Sequence, residues 1–166
     1  MPGRSKRPTS AARSAARLAS VQALYQMDMA GTDLNDVIKE FTVYRFTSQD
    51  AQGDGGTKPD GTFFSEILHG VVRRQRDIDP VVDEQLAEGW RLVRVDSTLR
   101  AILRAAMFEL LERPDVPVKV VINEYIEVAR DFFGEDEPRV VNGILHQLAQ
   151  RYRPEEMKSV RSTDAL

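Results

Sequence analysis

Apolar residues recur at intervals of three and four from Val118 to Phe132: Val118, Ile122, Tyr125, Ala129 and Phe132. That interval matches the 3.6-residue turn of an α-helix and puts the five side chains on one face. The run opens on the β-branched Val118, Val120, Val121 and Ile122, which taken alone suit a strand. The period holds unbroken to Phe132, so helix is the reading. A stripe of this kind must be covered by other elements. The rest of the chain offers only more helices to do so.

The same period runs through most of the 166 residues. From about Ala11 an Ala-rich stretch favours helix, with Leu18, Val21 and Leu24 or Tyr25 as its stripe and an end near Gly31. Asp33 suits an N-cap for a second helix, Leu34 to about Phe46, with Leu34, Ile38 and Phe41 inward. Phe63 to Arg76 follows, burying Phe63, Phe64, Ile67, Leu68 and Val71. Asp79-Pro80 is a cap and first-turn pair that opens a short helix with Val81, Val82 and Leu86, ended by Gly89 and Trp90. Asp96 to Arg113 carries Leu99, Ile102, Leu103, Ala106, Met107 and Leu110. Gly134 is placed to cap the Val118 helix. Pro138 suits the first turn of a last helix that buries Val141, Ile144, Leu145 and Leu148 and stops at Pro154. The expected fold is therefore all-α, about seven helices in two packed helical subdomains.

The breaks set the domain outline. Pro2, Gly3 and Pro8 mark residues 1–10 as a flexible arm, and the tail 154–166 reads as disordered. Residues 50–62 hold four Gly and one Pro, a mobile loop. It separates a subdomain over about 11–62 from another over about 63–153. Asp50, Gln52, Asp54 and Gly55 imitate the start of a calcium loop. The twelfth position, where a bidentate Glu belongs, is Gly61, and Lys58 stands at the ninth. The loop is no phosphate cradle either, because no Gly-Lys-Ser/Thr occurs.

Charge is unevenly spread. Arg4, Lys6, Arg7, Arg13 and Arg17 all precede the first acid, Asp28. Without those five, 18 basic residues face 26 acidic ones, a net of −8 against −3 for the whole chain. A basic end on an acidic body points to an anionic partner at that end. Arg13 and Arg17 are four apart, so they share a helix face. Cations in a first helical turn oppose the helix dipole, a small cost that an external anion would offset. Lys and Arg near phosphates gain affinity by releasing counterions, with no base reading required.

Nothing in the sequence builds a catalytic centre. There is no Cys, so thiolate ligands and disulfides are excluded. His69 and His146 stand on separate predicted helices, outside any spaced ligand set. Nucleophile-elbow, zincin and Walker patterns are missing. No apolar run is long enough to span a bilayer, and no secretory signal core opens the chain. The Arg-, Ser- and Ala-rich start shares its composition with a transit peptide, but it leads into an apolar helix face that the fold needs.

Several stretches together resemble the NusB family of transcription antitermination factors. They are Val21-Gln22-Ala-Leu-Tyr25 after its Arg-rich lead-in, Leu103-Arg104-Ala-Ala-Met-Phe108-Glu109-Leu110, Asp115-Val-Pro-Val-Lys119-Val-Val-Ile-Asn123-Glu124, Val128-Ala-Arg130-Asp-Phe132 and Val141-Asn142-Gly143-Ile-Leu145. The resemblance covers about residues 11 to 153. It implies a non-catalytic helical protein without cofactor or metal, working in the bacterial cytoplasm. It implies binding to boxA-type single-stranded RNA of ribosomal RNA leaders, jointly with NusE, a small-subunit ribosomal protein, in a complex on RNA polymerase.

On that resemblance Arg13 and Arg17 match two of the family's RNA-contacting arginines, while Ser14 and Ala15 stand where further arginines are common. Arg4, Lys6 and Arg7 are placed to compensate from the arm. Gln22 and Tyr25 follow on the same helix, Asp136 and Arg139 lie in the loop and helix start that the family sets near RNA, and Arg104 and Phe108 flank the central helix used for partner contacts. Gly143, a glycine inside a helix, reads as a place of close helix packing. Two other readings stay open: a helical RNA-binding domain cut from a ribosomal RNA cytosine methyltransferase, and a protein-interaction module with no RNA. A free homodimer that covers the arm is open as well.

Overall fold

The computed structural model describes residues 9–47, 57–89 and 97–158, and the arm residues Arg4, Lys6 and Arg7 lie outside them, as do most of the Gly-rich loop and Trp90. Among the described residues every regular element is helical: α1 (Ser10–Ala30), α2 (Leu34–Lys39), α3 (Gly61–Arg73), α4 (Gln75–Gly89), α5 (Ser97–Glu112), α6 (Val118–Phe132) and α7 (Asp136–Tyr152). No helix there is long and apolar enough to cross a membrane. The described residues gather into two compact units, divided within α3 between His69 and Gly70.

Local chemistry sets the helix ends of the first unit. The Thr9 hydroxyl accepts from the Ala12 N–H at 3.0 Å and opens α1. Gly31 closes it in the left-handed region, φ +66°, donating its N–H to the Met27 carbonyl. Asp33 caps α2 by accepting from the Asn35 N–H, and Asp60 accepts from the Phe63 N–H at the start of α3. The Asp60 N–H donates to the Ala12 carbonyl at 3.0 Å, tying that start to α1.

α2 does not continue as an α-helix to Phe46. It passes into a π-helical segment, Glu40–Arg45, closed by the Phe46 N–H donating to the Phe41 carbonyl. The physical reason lies in the aromatics. A five-residue turn sets Phe41 and Phe46 on the same side, where both pack on Phe64 with ring centroids 5.4 and 5.0 Å away. Val37, Phe41 and Phe46 are buried, while Leu34 and Ile38 are only half-buried. The buried face of α1 is mainly small: Ala12, Ala16, Ala19, Ser20 and Ala23, joined by Val21 and Leu24. Tyr25 points away from it.

The second unit is built round α5, which is buried on all sides from Ala101 to Leu110 and packs on α4, α6 and α7. α4 begins earlier than Asp79-Pro80. The Arg74 carbonyl accepts from Asp77 and Ile78, so the helix starts at Gln75 and Pro80 lies inside it. Asp79 is then free to serve as an ion-pair partner instead of a cap. α6 buries Val118, Ile122, Tyr125 and Ala129 as its period requires, but Phe132 is 39% exposed. Its end is also different. Phe133 turns out in extended backbone, and Gly134 has no positive φ, so no left-handed cap forms.

The chain does not leave the fold at Pro154, because residues 154–158 form a further helical turn. Arg153 explains it. Its guanidinium donates to the carbonyls of Glu109, Leu110, Arg113 and Val116, at 2.6 to 3.0 Å, and Met157 is buried beside this knot.

Candidate nucleic-acid interface

In the first unit the site residues sit on α1. Arg13 and Arg17, one turn apart, both stand over the Phe63 ring, 5.7 and 5.0 Å from its centroid. They are not equivalent. Arg13 is half-buried, with its Nε shielded from solvent and unpartnered. Arg17 is 1% exposed, which corrects the expectation that it grips phosphate. A planar, weakly hydrated guanidinium stacks on an aromatic face, and here the stack is inside the fold.

Further along α1, Gln22, Tyr25 and Met29 are exposed at spacings of three and four, so one outward stripe carries them. Tyr25 is 39% exposed, an aromatic face open to a ligand. One turn on from Gln22, the Gln26 amide donates to Glu40 at 2.8 Å and ties α1 to the π-helical segment.

In the second unit Asp136 and Arg139 are exposed at the start of α7. Arg139, but not Asp136, lines a concavity of about 590 Å³ between the end of α6 and the first turns of α7. Ile126, Phe133 and Pro138 supply its apolar wall, and Arg130, Arg139 and Asn142 its donors. Arg130 is ion-paired to Glu127, whereas Arg139 has no acidic partner among the described residues. Arg130 and Phe133 were not picked out from sequence as site residues. Nothing in a helix-end Arg and an apolar residue distinguishes a cleft wall from ordinary surface until the α6–α7 turn is folded.

Arg104 and Phe108 do not offer a docking face. Arg104 is buried and donates from Nε and Nη2 to the two carboxylate oxygens of Asp79, at 2.8 and 3.0 Å. The Phe108 ring is buried against Gly70, in the space that a Cβ there would need. Both belong to α5, whose whole circumference is covered, so the partner-contact expectation is corrected. Gly143 reverses the opposite way. It was expected at a close helix contact, and it is exposed with open space around it.

Among the described residues no group of three or more His, Asp or Glu could hold a metal ion. The first unit presents an exposed aromatic and an amide on α1, and the second presents guanidinium and amide donors at the α6–α7 concavity.

The model of the NusB family matches residues 14–150, most of the chain. The chain belongs to the NusB family. This NusB-family chain is 52% identical over 143 residues to the transcription antitermination protein NusB of Agrobacterium fabrum (strain C58), covering 86% of each. Over 141 residues it is 51% identical to the NusB of Allorhizobium ampelinum, covering 85% of this chain and 88% of that one. Among solved structures it is similar to T. maritima NusB, with a TM-score of 0.68 and 29% identity over 88% of this chain and 96% of that one. A chain from the crystal structure of a plectonemic RNA supercoil gives a TM-score of 0.69 at 21% identity, over 87% of this chain and 97% of that one, a likeness that speaks to the fold alone. As a NusB-family member the protein is a transcription antitermination factor, which acts by binding and not by catalysis.

Proposed function

We propose that this NusB-family factor holds boxA-type single-stranded RNA of ribosomal RNA leaders, together with a NusE-type small-subunit ribosomal protein, in an antitermination complex on RNA polymerase in the bacterial cytoplasm. The observation that carries the reading is the outward stripe of α1, where Gln22 and an open Tyr25 follow the basic lead-in. Arg4, Lys6, Arg7 and Arg13 neutralise phosphates, a contribution that rises as salt falls. Tyr25 stacks on an unpaired base and Gln22 reads a base edge, which single strands leave accessible. Asp136 and Arg139 supply a second set of contacts from α7. Arg17 supports the site by holding α1 to Phe63 and makes no phosphate contact itself. The acidic remainder of the chain favours encounter with a basic ribosomal protein.

Fluorescence anisotropy with boxA-type and scrambled RNA, with and without the ribosomal protein, tests this. Tyr25→Ala should lose affinity by roughly tenfold, the worth of one base–aromatic stack, without a change in melting temperature. Equal affinity for the scrambled RNA in the full assembly would overturn the boxA assignment. Sedimentation of the free protein shows whether it is a homodimer before RNA arrives.

A further inference from the structure

Tyr44 is the most open large apolar residue among those described, 67% exposed. The π-helical segment puts it there. Three residues after the buried Phe41, an α-turn would set Tyr44 on the flank of the inward face. The wider π-turn that seats both Phe41 and Phe46 on Phe64 rotates it outward instead.

Its neighbours follow from how α1 and α2 pair. The turn from Gly31 to Asp33 folds α2 back along α1, and the Gln26–Glu40 hydrogen bond ties the two together. Gln22 stands one turn before Gln26, and Tyr44 one turn after Glu40. In antiparallel partners those two steps lead the same way, so Tyr44 lies beside Gln22 and widens the stripe that carries Tyr25. Packed helices run about 8–10 Å axis to axis, a reach of a few nucleotides.

Charge tells the two ends of this surface apart. At the Met29 end Asp28, Asp33 and Asp36 are exposed and repel phosphate. At the Tyr44 end Arg45 is exposed, lying over the Phe41 ring. The nearest acid there, Glu40, is engaged by Arg45 at 3.6 Å and by the Gln26 amide, so its charge is largely offset. The Tyr44 end is also the one turned toward the basic start of α1.

We propose that Tyr44 is a second base platform, and that a single RNA strand runs from Tyr25 across Gln22 onto the π-helical segment, with Arg45 at its phosphates. This rests on the RNA-binding reading above and extends the strand's path from one helix to two. A ring stacks on any base, so the step adds affinity and length of site rather than sequence choice. A protein segment is the competing occupant, but ring, amide and guanidinium in a row, with the free acids at the far end, favour a polyanion that carries flat bases.

The test uses the full chain, with and without the ribosomal protein, and a boxA-type oligonucleotide carrying a fluorescent purine analogue at one position at a time. Tyr44→Ala should weaken RNA binding by roughly tenfold, the worth of one stack, and Tyr44→Phe should keep the parent affinity because the ring remains. Both should melt with the parent, since the side chain is exposed. Stacking quenches the analogue, so Tyr44→Ala should relieve quenching at a position other than the one relieved by Tyr25→Ala. Unchanged affinity and quenching in Tyr44→Ala, beside a clear loss in Tyr25→Ala, overturns the platform and leaves the RNA-binding function standing. An equal loss in Tyr44→Phe and Tyr44→Ala overturns stacking as its role. Loss of the ribosomal protein alone also overturns it and assigns the surface to a protein. A parent chain that fails to bind the oligonucleotide in any assembly sinks both readings together.

Discussion

Arg104 and Asp79 join α5 to α4 through a two-point ion pair, with the Arg104 side chain 8% exposed and that of Asp79 26%. The geometry explains why a basic residue is tolerated inside a helix covered on every side. A guanidinium fork matches a carboxylate, and the pair leaves little of either charge unsatisfied. Removing the acid strands the cation. Asp79→Ala should cost about 2–3 kcal/mol, somewhat below the ~3–5 kcal/mol of a fully buried pair because Asp79 keeps some solvent. Urea unfolding of the two single variants and of the double variant Asp79→Ala/Arg104→Met checks this. The double variant should recover much of the loss.

The two helical glycines predict opposite outcomes from the same substitution. A methyl at Gly70 would collide with the Phe108 ring, which is itself buried, so Gly70→Ala should destabilise by about 1–3 kcal/mol. A methyl at Gly143 meets open space, so Gly143→Ala should stabilise by up to about 1 kcal/mol. Thermal melts of the two variants side by side give the answer, and equal signs would contradict the packing described.

Arg153 predicts the worth of the last turn. It satisfies four carbonyls at the α5–α6 corner, and Glu156 both pairs with it at 3.3 Å and accepts from the Val118 N–H. Arg153→Ala leaves those carbonyls short of donors and should cost about 3 kcal/mol or more. Lysine lacks the planar fork and should rescue little. Truncation after Tyr152 should destabilise to a similar extent, read by denaturant midpoint. A neutral truncation would show that the knot holds nothing.

Salt dependence separates the arginines. Neutralising Arg4, Lys6 and Arg7 together should flatten the log–log salt slope of RNA binding by about 2, at roughly 0.7 per phosphate contact. Arg17→Ala should leave that slope unchanged and instead lower the melting temperature, because its guanidinium stacks on Phe63 within the fold. A flattened slope in Arg17→Ala with an unchanged melt would return Arg17 to the interface.

Much of this was legible beforehand. The periods of α3, α5, α6 and α7 named most of the core residues, since burial of a helix stripe is written directly in spacing, but they left out Ala101, Ala105, Phe108, Val121, Val128 and Ala149, which are buried beside the stripes. Caps at Asp33 and Gly31 were legible for the same local reason. The failures have a common cause. Asp79-Pro80 is a good helix start by local rules, but α4 had already begun at Gln75. Phe41 and Phe46 are five apart, which no α-helical period accommodates, and only their shared packing on Phe64 selects the π turn.

What the sequence alone determined is the all-helical class, the family and the separation of a basic leader from an acidic body, because these depend on spacing, motif and composition. Which charges face outward was decided by tertiary structure. Arg17 and Arg104 are as polar in sequence as Arg13 and Arg139, yet two are inside and two are not. A guanidinium can be buried once an aromatic ring or a carboxylate is brought to it from a distant part of the chain, and only the folded chain brings Phe63 to Arg17 and Asp79 to Arg104.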